Sequence, residues 1–204
     1  MKTLITFLVC GLAIAGPAQT SLKTFTSADG VFRFQYSDVL VNACTSEQTP
    51  GNPASCKSQS TICDGPGSEG ITLACFSYPN ERFKNKTSFV GTDFYVSEIQ
   101  SATTEQVCLR ASPNWYVISS KPGITTINHV SFKTFEIGDN WTSHGQSGPA
   151  YRTFHDGKCY ELGIQTLISR AEYDPGTVKE FTKKDSSEVE GCLRGVLNSF
   201  VFLK

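Results

Sequence analysis

The 204-residue sequence predicts an α+β domain, α/β by content, with a mainly antiparallel sheet, helices packed on it and disulfide reinforcement. Three observations predict this. Asp156-Gly157 lies between two runs rich in aromatic and β-branched residues, and this dipeptide accepts the positive φ that both central positions of a tight hairpin need. In Val31–Tyr36 the residues Phe32, Phe34 and Tyr36 alternate with Val31, Arg33 and Gln35, the period of a strand with one aromatic face. Ser187-Glu-Val-Glu190 matches a capping box, and Val189, Cys192, Leu193, Val196 and Leu197 then recur at helical spacing.

The chain opens with Lys2, an apolar run from Leu4 to Ala15 and the small residues Gly16-Pro17-Ala18. That order is a secretory signal peptide over 1–18, with a single mature domain over 19–204. The run is shorter than the ~20 residues a membrane-spanning helix needs. Cys10 falls inside it as part of the leader. Losing Lys2 with the leader moves the net charge from −1 to −2. A nearly neutral chain without a basic cluster does not suit nucleic acid, and nothing after residue 18 is apolar enough to span a membrane.

Val39–Val41 is read as continuing the sheet. Residues 45–70 carry no period of either kind, and a structureless stretch of that length needs a pin. Four cysteines bracket this excursion at 44–75: Cys44, Cys56, Cys63 and Cys75 are separated by 11, 6 and 11 residues. The symmetry suits nested bridges, Cys44–Cys75 outside and Cys56–Cys63 inside. With Cys108, Cys159 and Cys192 the mature chain holds seven cysteines, so one is left over, and Cys192 in the helical stripe is the expected inert thiol. Zinc knuckles of the C-x-x-C type are missing, so no metal is expected. Ile71–Phe76 and Phe89–Ile99 read as strands, Thr103–Leu109 as a short capped helix ended before Pro113, and Ile127–Ile137 as a strand. Gly138–Gly148 reads as a polar loop that delivers the chain into the hairpin.

A two-residue turn at 156–157 sets the hairpin register. His155 then faces Lys158, Phe154 faces Cys159, Thr153 faces Tyr160, Arg152 faces Glu161 and Tyr151 faces Leu162. One face carries Tyr151, Tyr160, Leu162 and Ile164; the other carries Phe154, Cys159 and an Arg152–Glu161 pair. After Ile168, Asp174-Pro175 suggests a helix start with Val178 and Phe181 on its apolar edge. The capped helix follows, Asn198-Ser199 breaks it, and Phe200–Leu203 closes as a short strand.

The opening Phe25-Thr-Ser-Ala-Asp-Gly-Val-Phe-Arg-Phe-Gln-Tyr36 resembles the first hairpin of PsbP-like domains, and a helix running into Leu197-Asn-Ser-Phe200 resembles their last helix and closing strand. Tyr151–Leu162 is similar to an element of uncharacterised secreted bacterial proteins. The resemblance implies a PsbP-like sandwich and a binding or accessory role; it transfers no functional residue. Ser37-Asp38-Val39 stands where that family commonly has proline and tryptophan, and the cysteine-bearing excursion is an addition.

Few residues offer chemistry. His144-Gly-Gln-Ser147-Gly-Pro149 superficially resembles a serine-protease nucleophile loop, but glutamine precedes the serine and Pro149 breaks the hydrolase elbow. His144, His155, Asp156 and Asp139 are ligand-type side chains without a tight ligand spacing. Trp115-Tyr116 and Trp141 stand in polar surroundings, where an exposed aromatic marks a contact surface. Asn85 and Asn140 begin glycosylation sequons. The leading expectation is a secreted (extracellular or periplasmic), non-catalytic binding or accessory domain without catalytic residue or cofactor. Its partner is an unidentified protein or small ligand, and Trp141, His144, His155 and Trp115 are the candidate binding residues. One alternative is a small secreted hydrolase using His144, Ser147, His155 and Asp156. Another is a host-directed effector with an apolar patch around Trp115 or Trp141.

Overall fold

The computed structural model describes residues 21–45, 57–58, 63, 70–79, 83, 88–113, 117–118, 121–140, 144–169 and 181–203. Trp115, Trp141, Cys56 and Asn85, and the helix start expected at Asp174-Pro175, lie outside them. Among these residues, β1 (Leu22–Thr26), β2 (Phe32–Ser37) and β12 (Val201–Phe202) form a small antiparallel sheet in the order β1-β2-β12. A larger sheet has the order β3-β6-β7-β11-β10-β9-β8 and every neighbour antiparallel: β3 (Val41–Asn42), β6 (Ile71–Tyr78), β7 (Phe89–Glu98), β8 (Gly123–Ile127), β9 (Val130–Asn140), β10 (His144–His155) and β11 (Lys158–Ser169). The pair β4 (Cys44–Thr45) and β5 (Lys57–Ser58), the short α1 (Glu105–Cys108) and the long α2 (Lys183–Ser199) complete the fold.

The β10–β11 hairpin forms in the register its turn dictates, from His155↔Lys158 through Arg152↔Glu161 to Tyr151↔Leu162. Asp156 and Gly157 take φ values of 47° and 77°, as a primed hairpin turn requires. Tyr151, Tyr160, Leu162 and Ile164 enter the main core, while Phe154 and Cys159 join a separate cluster on the opposite face. That division follows from the two-residue period of a strand. The core side packs Phe76, Phe94 and Val96 of the sheet against Phe32 and Phe34 of β2 and Val189, Leu193, Val196 and Leu197 of α2. Phe34 meets Phe76 and Phe94 edge-on, at 5.2 Å between ring centres in both cases. Such contacts add to the gain from area burial.

Four expectations are corrected. The stretch read as one strand over 127–137 is broken by a second tight turn: Asn128 and His129 both take positive φ, 45° and 70°, and separate β8 from β9. Residues 138–140 and 144–148, expected in a loop, belong to β9 and β10, because Gly145 is paired on both sides, with Asn140 and with Ile168. The last helix starts one turn earlier than Ser187. Thr182 is its cap, Asp185 completes the box, and the Ser187 hydroxyl donates back to the Lys183 carbonyl at 2.8 Å inside the helix. Finally, the nested cysteine pairs do not form. Cys75 is bonded to Cys63, and Cys108 to Cys159, with Cα separations of 5.8 and 5.4 Å. Cys44 is also disulfide-bonded, and Cys192 is a half-buried thiol on α2. The Cys108–Cys159 bridge ties α1 to the hairpin across 51 residues, a loop whose closure stabilises by roughly 4 kcal/mol.

Candidate functional site

The two faces of the large sheet differ in chemistry. On the face away from α2, Ser97, Glu161, Arg152 and Lys133 lie in one row across four strands. The Arg152 guanidinium donates from Nε to Glu161 Oε2 at 2.8 Å and from Nη1 to the Arg110 carbonyl at 2.9 Å. The Tyr95 hydroxyl donates to the other Glu161 oxygen at 2.8 Å. Arg152, Glu161 and Tyr95 are all buried, so each charge is satisfied inside the protein. Burial is the largest influence on the Tyr95 phenol; together with the Glu161 charge and hydrogen bond it holds the pKa well above the ordinary value, against the opposing pull of Arg152. Gly163 makes room for this arrangement, because a Cβ there would overlap the Tyr95 ring. The row is an architectural ion pair, as the sequence predicts.

Further along the same face, Asp93 lies 3.1 Å from Cys63 Sγ and 3.9 Å from Cys75 Sγ. These three residues are the one group among the described residues with metal-type donors gathered together. The sulfurs are bonded to each other, and a disulfide offers no thiolate to a metal. Beside them, Gln165 is fully buried with neither polar atom hydrogen-bonded, and Gln146 Nε2 and Ser169 Oγ are buried in the same condition.

Of the hydrolase set, Ser147 and His155 do not come together. Ser147 and His155 lie eight residues apart on β10, about 26 Å along a strand. The His155 ring is stacked on Phe202, with centres 3.9 Å apart and planes 15° from parallel, and its Nε2 is 3.7 Å from Asp156 Oδ2. His155 is thus packed between the hairpin tip and the closing strand. His144 is the first residue of β10.

Ser147 instead lines a groove of about 420 Å³ on the core side, where β9, β10 and β11 run out past α2. Its floor is Pro149, Ile164 and Ile168, with Phe181 at one end. Lys183, Ser186, Glu190 and Arg194 line the opposite wall, three and four residues apart on one face of α2. The helix positions them because its other face is held in the core by Val189, Leu193 and Val196. Thr166 and Glu136 complete the sheet wall; the Thr166 hydroxyl also meets that of Thr92 at 3.0 Å. Arg194 reaches Glu190 at 3.6 Å. Glu136 has its pKa raised, first by lost hydration and also by Glu190, while Arg194 opposes. Sequence reading missed this site, since its helix wall appears as one stripe only when the helix starts at Lys183.

No protein-family model matches the chain, and no curated protein matches it in sequence. Solved structures do. A cyanobacterial PsbP from Synechocystis sp. PCC 6803 is 17% identical, with a TM-score of 0.42, covering 95% of this chain and 97% of that one. A Bacteroides thetaiotaomicron protein is 9% identical, with a TM-score of 0.45 over 89% of this chain and 48% of that one. LpqN of Mycobacterium tuberculosis, described as involved in cell envelope biogenesis, is 7% identical, with a TM-score of 0.43 over 90% and 91%. A PsbP, of the family that the two ends of the chain resemble, is among the solved structures that match.

Proposed function

We propose that this chain is an exported, non-catalytic binding module and that the groove along α2 is its binding site. The observation that carries this reading is the groove itself. Its volume falls within the range of small-ligand sites, and it combines an apolar floor with a few polar groups on its walls. Export is supported by the leader-like residues 1–18 and by the disulfides. No helix among the described residues is long and apolar enough to cross a membrane. Against the hydrolase alternative, Ser147 stands about 26 Å along β10 from His155 and its neighbour Asp156.

The test is a saturation-transfer NMR screen of a fragment library against the mature chain and its Ser147→Trp variant. Ser147 is exposed, so the indole fills the groove without entering the core. Fragments are expected to bind the parent and to be lost from the variant, with thermal unfolding unchanged. Equal binding to both proteins, or hydrolysis of a nitrophenyl ester that Ser147→Ala abolishes, contradicts the reading.

A further inference from the structure

We propose that the groove takes a short peptide with free termini, its C-terminal carboxylate at Lys183 and its N-terminal ammonium at Glu136. This deepens the binding reading above and rests on it. Shape is the first support. The helix wall from Lys183 to Arg194 spans eleven residue steps, about 16 Å at the α-helical rise. That length matches roughly four to five extended residues.

Charge is the second support. At one end, Lys183 is in the first turn of α2 with no carboxylate at ion-pair distance among the described residues. Its neighbour Lys184 is also cationic, and the nearby Asp185 is engaged by the Thr182 cap, where it accepts from the Thr182 amide at 2.9 Å and hydroxyl at 2.6 Å. A carboxylate is therefore attracted there, and the helix dipole acts in the same sense. At the other end, Arg194 is matched by Glu190, which leaves Glu136 in surplus. Its carboxyl has lost hydration, and Arg194, which more than offsets the repulsion of Glu190 there, is shared between the two carboxylates, so an arriving ammonium meets two negative groups against one guanidinium.

The middle is the third support. Pro149 and Ile164 offer an apolar floor for small side chains; the Ser147 hydroxyl lines the groove, and the Ser186 hydroxyl, which donates to Glu190 Oε1 at 3.0 Å, keeps a lone pair to accept a peptide N–H. A fatty acid would leave Glu136 against hydrocarbon.

Titration calorimetry on the mature chain tests the assignment with Ala-Leu-Ala-Ala as free, N-acetylated, C-amidated and doubly capped peptides. Each cap is expected to weaken binding by about 1.5- to fivefold, the range for exposed ion pairs. Glu136→Gln should erase the effect of N-acetylation and keep that of amidation; Lys183→Gln should do the reverse. Both positions are exposed, and unfolding curves verify that the variants remain folded. Caps without effect, or variants that alter both caps alike, overturn the peptide assignment. If no peptide binds while fragments sensitive to Ser147→Trp do, the peptide assignment falls and the groove stands; if neither binds, both fall.

Discussion

Replacing Arg152 with Met tests whether the polar centre of the hairpin is architecture. The variant keeps an apolar stem of similar length and removes the guanidinium that Glu161 and the Arg110 carbonyl share. Glu161 is 4% exposed and would keep the Tyr95 hydroxyl as its hydrogen-bond donor. Leaving one member of a buried pair uncompensated costs about 3–5 kcal/mol. For a chain of this size that corresponds to a fall in Tm of roughly 6–20 °C. The cost also carries a pH signature. Without its cation, Glu161 in the folded variant should titrate above its unfolded value of ~4.3. A raised carboxyl contributes stability below the unfolded pKa and loses it as pH rises, so the deficit should be large at pH 7 and shrink towards pH 4. Adding Glu161→Gln to Arg152→Met should recover most of the loss at pH 7. Urea unfolding with the disulfides intact measures all three variants. A loss below about 1 kcal/mol for Arg152→Met, or one that does not change with pH, refutes the reasoning.

Gly163→Ala should destabilise by about 1–3 kcal/mol, since the new methyl group must displace the Tyr95 ring; Tyr95→Phe does not relieve the overlap, and a chemical-denaturation series checks both. Gln165→Met removes two buried polar atoms that have no hydrogen bond, so it should leave stability unchanged or raise it by about 1 kcal/mol, and a clear loss in calorimetry would contradict that. Burial raises the phenols of Tyr95 and Tyr151, and it pushes Tyr160 up to about 12, helped by Glu98, Asp29 and Asp156. Groups with raised folded pKa values stabilise below the unfolded value of ~10 and lose that contribution above it, so unfolding should set in as pH climbs from 10 towards 12, with phenolate absorbance rising together with loss of tertiary circular dichroism.

The β10–β11 hairpin was legible because Asp-Gly leaves the backbone one comfortable turn, and the alternation on both sides then fixes every pair. Asn128-His129 makes a similar turn without glycine, and histidine at positive φ carries no local signal. Gly145, Ser147 and Gly148 have loop chemistry; they are strand because β9 and β11 pair with β10 on both sides, a tertiary effect that composition does not show. Two successive capping-box patterns, 182–185 and 187–190, compete at the start of α2, and the upstream one uses Asp185 where the usual pattern has Glu or Gln. Cysteine spacing suggested a nest, but Cys63 and Cys75 are bonded with no regard to symmetry. The groove stayed hidden for a related reason. Glu136, Ser147 and Thr166 belong to three strands, and nothing along the chain marks them as facing one helix stripe.

The most direct measurement is the amide ¹H–¹⁵N spectrum of residues 19–204, recorded while the tightest fragment sensitive to Ser147→Trp is titrated in. Shifts confined to residues 147–149, 164–168 and 182–194, with Arg152, His155 and Glu161 unmoved, are what a binding groove along α2 predicts. Shifts centred on His155 and the hairpin tip, with the α2 wall silent, would contradict it.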